Sequence, residues 1–469
     1  MEGKNACAGR RLSERLGGMN RVADRIFLHP LFFALLFALS CLFAYMRWEV
    51  GGAFAFVTLI CLSLVLCDDI FATTLPFLLI CVFVTRCYDS YDIFIDYIWM
   101  AVPFVLCLLF HLTVYRQGVR IGSSFFGLLA VTVALMLGGV GFISASDYFQ
   151  PTAIYYTVFL GVGMVVFYLL LKSQLSAPRT YDAREMMLKL LYIMGLFACL
   201  VILLVTYENI DKILKSHKVT PFQASNNLCT LLMFALPCPF YFAGKNRLHI
   251  PVSLLMAACL FLTGSRGGIL MGSLEFLICL VIFLLHDRKS RWIYIGILIC
   301  AAVAVCLYGE ELLRFATRLR PDKLISENEA RYKLLGRAKT LFGQSPVFGH
   351  GLGYTGNIDL YHPRTGAMCW YHMMIPQIVA GLGLVGCAGY GYQLFCRVRA
   401  SLTAIRRGEG RTRGMALALS LSYIGVLLMS QVNPGLFCPI PYALLAVMIF
   451  ALLDGEKAIN IKRKGGKVS

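Results

Sequence analysis

HIPVSLLMAACLFLTGSRGGILMGSLEFLICLVIFLL, residues 249–285, decides the fold class. Two apolar runs, 249–263 and 267–285, hold a single carboxylate, Glu275, and are parted only by a short polar turn around Arg266. Runs of this length approach the ~20 residues that carry a helix, at 1.5 Å per residue, across a ~30 Å hydrocarbon layer. In lipid every backbone amide must find its partner within its own segment, so each run is predicted to be helical. The pattern recurs in both directions, with further blocks at 31–46, 50–66, 70–85, 93–114, 121–143, 152–171, 190–206, 228–243, 292–308, 373–395, 414–430 and 436–453. Some blocks are short enough to merge or re-enter, so the expectation is an all-α, polytopic transmembrane bundle of about 12–14 helices. The 469 residues are 59% hydrophobic and only 14% charged, against ~25% charged in soluble domains, which excludes a soluble globular protein.

A net charge of +18 would suit a nucleic-acid partner if it were clustered, but its placement follows the membrane instead. All 43 Lys and Arg fall between the blocks. Alternating from a cytoplasmic N-terminus places 28 inside and 6 in short external loops, the remaining 9 lying in one long external loop, 309–371. That bias is the positive-inside signature, and it expects both termini in the cytoplasm and no nucleic-acid partner. Residues 1–29 read as a basic cytoplasmic arm without a cleavable signal, 30–453 as one transmembrane domain, and 454–469 as a basic cytoplasmic tail.

Eighteen cysteines occur without a CxxC, and most sit inside apolar blocks, as small buried residues do. Cys87, Cys369 and Cys438 fall on the external side, where spacing specifies no pairing. No metal-ligand spacing appears, and neither a metal nor another cofactor is expected. Asp96 and Glu275 are carboxylates within apolar blocks; each is a functional candidate by cost, with a structural partner across the bundle the equal alternative.

Two segments on the external side exceed a turn, 207–227 and 309–371. In the second, Leu334, Leu335, Ala338, Leu341 and Phe342 recur at helical spacing among Arg331, Lys333, Arg337 and Lys339, which predicts an amphipathic helix closed by Pro346. Gly351, Gly353 and Gly356 then match GxGxxG, but without a strand before or a helix after, so the stretch reads as a flexible turn or a backbone nest open to an anion. Arg266, flanked by glycines at a membrane boundary, is either a snorkelling interfacial arginine or a guanidinium held for a phosphate, with glycines admitting backbone amides. His372, next to Trp370 and Tyr371, belongs to an aromatic interface belt or acts as a general base, a task that histidine suits at neutral pH.

Taken in order, three stretches resemble the O-antigen ligase and polymerase family, integral-membrane glycosyltransferases of polyprenyl-diphosphate-linked glycans. Pro221–Leu228 looks like its F-x-N-x-N-x-x-A entry to a span, and Leu262–Leu270 like its T-x-S-R-G-x-x-L. The third begins at Arg331, passes through Pro346-Val347-Phe348-Gly349-His350-Gly351-Leu352-Gly353, and ends on His372 with Gly383 and Gly386. The resemblance covers roughly 205–400 and departs at Met373, where the family has Asn, and at Gly381, where it often has an acid. It implies a bacterial plasma (inner) membrane location, a lipid-diphosphate glycan donor, and a lipid or glycan acceptor. It implies too a metal-independent transfer in which His372 is the base, Arg266 and Arg331 hold the diphosphate, and Lys215 and Lys218 are weaker contacts. The rival reading from another class is a transporter or flippase of polar lipids or solutes, although neither the paired inverted repeats nor the broken helices of such proteins are expected from this sequence.

Overall fold

The computed structural model describes residues 26, 29–46, 48–67, 76, 79–80, 83, 98–115, 118–143, 151–175, 181–210, 225–317, 321–353, 370–433 and 440–454. Among them the fold is all-helical and polytopic, without strands. Among the described residues six helices are long and apolar enough to cross a membrane, and seven shorter apolar helices accompany them in the order expected from sequence. The expected block 70–85 lies almost wholly outside the described residues, as do Asp96, Cys87, Cys369, Cys438, Lys215 and Lys218.

The chain divides into two compact units. The unit of residues 1–120, 169–197 and 455–469 contains α1 (Pro30–Tyr45), α2 (Glu49–Leu66) and α3 (Ala101–Val114), and side chains at the end of α3 reach backbone carbonyls of α2. His111 Nδ1 lies 3.0 Å from the Leu64 carbonyl, and the Tyr115 hydroxyl donates to Val65 at 3.1 Å. Phe37 stacks on Phe197 at 5.5 Å.

The unit of residues 121–168 and 198–454 carries the candidate site. It contains α4 (Ser123–Gly138), α5 (Pro151–Val158), most of the residues of the later helices, and the loops between them. α6 (Met164–Leu175) and α7 (Ala183–Glu208) run through both units. Beyond them come α8 (Ser225–Ala235), α9 (Pro237–Ala243), α10 (Ile250–Leu262), α11 (Arg266–His286), α12 (Arg291–Thr317), α13 (Pro321–Gln344), α14 (Met374–Arg407), α15 (Gly410–Met429) and α16 (Ile440–Leu453). Pro237 opens α9 one residue past α8, where a missing N–H costs least.

Helices that are apolar all round are core helices. Every residue of α16 from Tyr442 to Leu453 except Leu444 is buried, α8 and α9 are buried almost throughout, and α15 packs against α8, α9, α11, α14 and α16. The contact of α14 with α4 is the most extensive and runs over small residues. A Cβ on Gly389 would stand 3.0 Å from the Ala130 carbonyl, and one on Gly127 2.9 Å from Gln393 Cα. Without a hydrophobic drive between lipid-solvated helices, such close backbone approach is what holds them together.

Glu275 is 0% exposed, as its apolar context demanded, and its carboxylate fills the space where Gly425 of α15 has no side chain. The thirteen cysteines among the described residues are all free thiols. Several helices outrun the hydropathy blocks: α12 continues to Thr317 and α14 to Arg407, so Arg397, Arg399, Arg406 and Arg407 lie on a helix rather than in a loop.

Asp454, just past α16, closes the unit. Its carboxylate accepts the Ser124 amide at 3.0 Å, the Ser123 hydroxyl at 3.1 Å and the Tyr168 hydroxyl at 2.8 Å, capping the otherwise open N-terminus of α4. Asp454→Ala should therefore lower unfolding stability in detergent by about 1–2 kcal/mol, while Asp454→Asn, which keeps an acceptor, should lose less. Equal midpoints for the wild type and the alanine variant would show the cap to be idle.

Candidate functional site

The polar turn between α10 and α11 is built from its own side chains. Thr263 donates to the Leu260 carbonyl at 2.7 Å, and Gly264 reverses the chain at φ +67, a conformation open to glycine. Ser265 is then extended and caps α11: its Oγ accepts the Gly268 amide at 3.1 Å and donates to Asn226 Oδ1 at 2.5 Å. Arg266 is the first residue of α11 and is half-buried.

The two glycines after it do something other than the sequence reading supposed. The Gly268 amide is consumed by Ser265 rather than offered to an anion, and a Cβ there would run into Cys229 of α8. A Cβ on Gly267 would stand 2.7 Å from Val432. These glycines let α11 press against α8 and against the turn 430–433 that follows α15.

The segment that carries His372 meets the same turn through Met374. Tyr371 is 0% exposed and packs in a cluster with Ala380 and with Leu334, Ala338 and Leu341 of α13, so the amphipathic helix read from sequence is present with those three residues covered, while Leu335 stays exposed. The Tyr371 amide donates to Gln377 Oε1 at 3.0 Å, and the Met374 amide to the Ser430 carbonyl at 2.9 Å. Between these pins His372 is exposed and holds φ 53, the one positive-φ residue other than glycine among the described residues. Such a conformation costs of order 1–3 kcal/mol and persists where the surroundings over-determine it, most often at functional sites. Turn 430–433 thus has the start of α11 on one flank and the start of α14 on the other.

The glycine-rich segment after α13 is a clasp, not the open nest considered from sequence. Gly383 breaks α14 at φ 59, ψ −151, and loop 346–352 takes over the freed hydrogen bonds. Leu384 and Val385 donate to the Pro346 and Val347 carbonyls at 2.8 and 3.1 Å. His350 and Gly351 donate to Ala380 and Gly381 at 3.0 and 2.9 Å, and Leu352 to Gly139 at 2.8 Å. Gly349 lies so close to Gly381 that any side chain would collide. The amides of residues 349–352 are thus occupied within the protein, while Gly356 lies outside the described residues.

The same loop introduces a residue that spacing gave no reason to select. His350 is 8% exposed, with Nε2 3.1 Å from the Leu341 carbonyl. Burial holds its pKa below the ordinary histidine value; the Leu341 bond opposes that shift, and the Arg337 guanidinium adds to it. Arg337 of α13 is therefore within electrostatic reach of the loop. Arg331 lies in the helical first half of α13, and its side chain is outside the described residues. Among the described residues no three His, Cys, Asp or Glu gather as metal ligands would.

Four helices, α8, α11, α14 and α16, begin at this end of the bundle. Tyr442 near the start of α16 donates to the Asn227 carbonyl at 3.2 Å and so joins the set. Their N-terminal dipole ends favour negative charge. In comparison with known proteins, residues 251–391 match the family model described as O-Antigen ligase, a stretch that runs from α10 into α14 and contains Arg266, Arg331, the glycine clasp and His372. No curated protein matches the chain.

Gly268→Ala should separate α8 from α11 and lower unfolding stability by about 1–3 kcal/mol. Gly296→Ala in α12, where a Cβ meets nothing within 4 Å, should be neutral or stabilising. Equal effects of the two substitutions in thermal unfolding would show that no close contact exists at Gly268.

Proposed function

We propose that this chain, whose residues 251–391 match the O-Antigen ligase family model, is a membrane glycosyltransferase that moves a glycan from a polyprenyl-diphosphate carrier to an acceptor hydroxyl. The observation that carries the reading is turn 430–433, which brings the start of α11 with Arg266 and the strained start of α14 with His372 to one end of one bundle. The charge bias puts that end on the external face.

In the proposed step His372 accepts the proton of the acceptor hydroxyl as its oxygen attacks the anomeric carbon. The bond from that carbon to the diphosphate breaks, and the leaving diphosphate carries away the electron pair. A sugar hydroxyl is a poor nucleophile at neutral pH, so the base is needed; a diphosphate is a good leaving group, so no separate acid is. The developing negative charge is met by cations and dipoles fixed in advance. Arg266 offers the planar fork that matches phosphate oxygens, at a helix N-terminus that favours an anion. Arg331 supplies a second phosphate contact, Lys215 and Lys218 weaker ones, and no metal ion enters. The acceptor is a lipid or a glycan.

Product formation from a lipid-linked donor in proteoliposomes, with donor binding measured in parallel, tests this. His372→Ala should lower transfer by ~10²–10⁴-fold with donor binding nearly unchanged, and His372→Gln should not rescue it. Retained transfer in both variants would remove the histidine from the mechanism. Arg266→Lys should impair transfer nearly as much as Arg266→Ala, because an ammonium cannot reproduce a bidentate fork; full activity in the lysine variant would make Arg266 an interfacial anchor. Transfer should survive EDTA, and loss restored by a divalent ion would require a different mechanism.

A further inference from the structure

At the far end of α11, ~30 Å from Arg266 along a helix of this length, the same unit contains a second chemically distinct place. A cavity of about 250 Å³ opens there, with Phe240, Tyr241 and Phe283 forming an aromatic floor. Lys245 and Arg411 line it, and so does Asp287. Lys245 is held at the rim, its ammonium 5.3 Å from the centre of the Tyr241 ring. Asp287 is the unusual member. Its Oδ1 accepts the Lys289 amide at 3.0 Å, but its Oδ2 is buried and has no hydrogen-bond partner among the described residues. It makes no ion pair there either, although two cationic side chains line the same space. A buried carboxylate oxygen left without a donor is costly, so it marks a place for a donor from outside.

The charges state what that donor must carry. A simple anion would suit Lys245 and Arg411 but be repelled by Asp287; a simple cation would suit Asp287 but face both bases. A group with a phosphate and an ammonium two carbons apart suits all three. A cavity of about 250 Å³ has room for its eight heavy atoms. Glycines remove the competing side chains: a Cβ on Gly414 would lie 3.1 Å from His286 Nε2, and Gly244 leaves the cavity open beside Asp287. The level along the bundle points to a lipid source. Leu248, Leu285 and Trp292, on the neighbouring helix ends, are 75%, 71% and 79% exposed, an apolar belt with an indole at headgroup height.

We propose that this cavity is a binding site for the headgroup of a phosphatidylethanolamine, with Lys245 and Arg411 on the phosphate and Asp287 Oδ2 on the ammonium. The site is separate from the proposed transfer chemistry and does not depend on it. Native mass spectrometry of the purified full chain, offered phosphatidylethanolamine and phosphatidylglycerol of matched acyl chains, reads it out. The wild type should retain phosphatidylethanolamine roughly tenfold better, the worth of one charge-assisted hydrogen bond. Asp287→Asn should bring the two lipids to near parity, Asp287→Glu should keep the preference, and Arg411→Ala, at an exposed helix end, should weaken both. Equal retention of the two lipids by the wild type, or an unchanged preference in Asp287→Asn, would overturn the proposal. Capture of soluble phosphoethanolamine with neither lipid retained would overturn the lipid assignment.

Discussion

A helix inside a membrane cannot be broken unless something else takes over its hydrogen bonds, and the break at Gly383 is where this molecule meets that demand. Loop 346–352 lies in the gap, receiving amides from the far side of the break and donating to carbonyls on the near side. One physical requirement thereby fixes several things at once. It anchors the C-terminal end of α13, holds His350 beneath Leu341, ties the end of α4 through Gly139, and sets the direction of the short first segment of α14. That first segment begins at His372, whose strained backbone depends on Tyr371 and Met374 being held on either side.

The second organising contact is polar and lies between helices. Ser265 joins the start of α11 to Asn226 near the start of α8, Tyr442 of α16 reaches Asn227, and Gly267 admits Val432. Helix starts that would each expose free amides are thus gathered at one end, which favours an anion such as the proposed diphosphate. The opposite end has a different electrostatic character, a carboxylate set between two bases above aromatic rings. A bundle with an anion-favouring end and a zwitterion-favouring end can hold a lipid-linked substrate at one surface and an ordinary lipid at the other.

Much of the fold was legible because hydropathy reads the hydrocarbon layer directly. Apart from 70–85, which lies almost wholly outside the described residues, the apolar blocks return as helices in the same order, and Leu334, Ala338 and Leu341 return buried on one face of α13. What hydropathy could not show is where a helix continues beyond the membrane, so α12 and α14 were cut short at their charged ends. At the candidate site, Arg266 and His372 fall at the starts of α11 and α14, and it is the glycines that sequence misread. Sequence offers glycine as a means of approach to a ligand, yet Gly267 and Gly268 admit neighbouring helices, and Gly349 and Gly351 fit a loop into a break. Those roles follow from what lies opposite each glycine in space, which spacing along one chain does not contain. His350 was hidden for the same reason, since its character comes from burial under α13.

The central claim, that lipid-linked diphosphate is held at the end of the bundle where α11 and α14 begin, is tested most directly by photo-crosslinking. A polyprenyl-diphosphate glycan with a photoreactive group beside the diphosphate would be illuminated with the full chain in proteoliposomes, and the modified peptides identified by mass spectrometry. The account predicts labelling confined to the segments around Arg266, His372 and residues 430–433. Labelling centred instead on Lys245, His286 and Arg411 would contradict it.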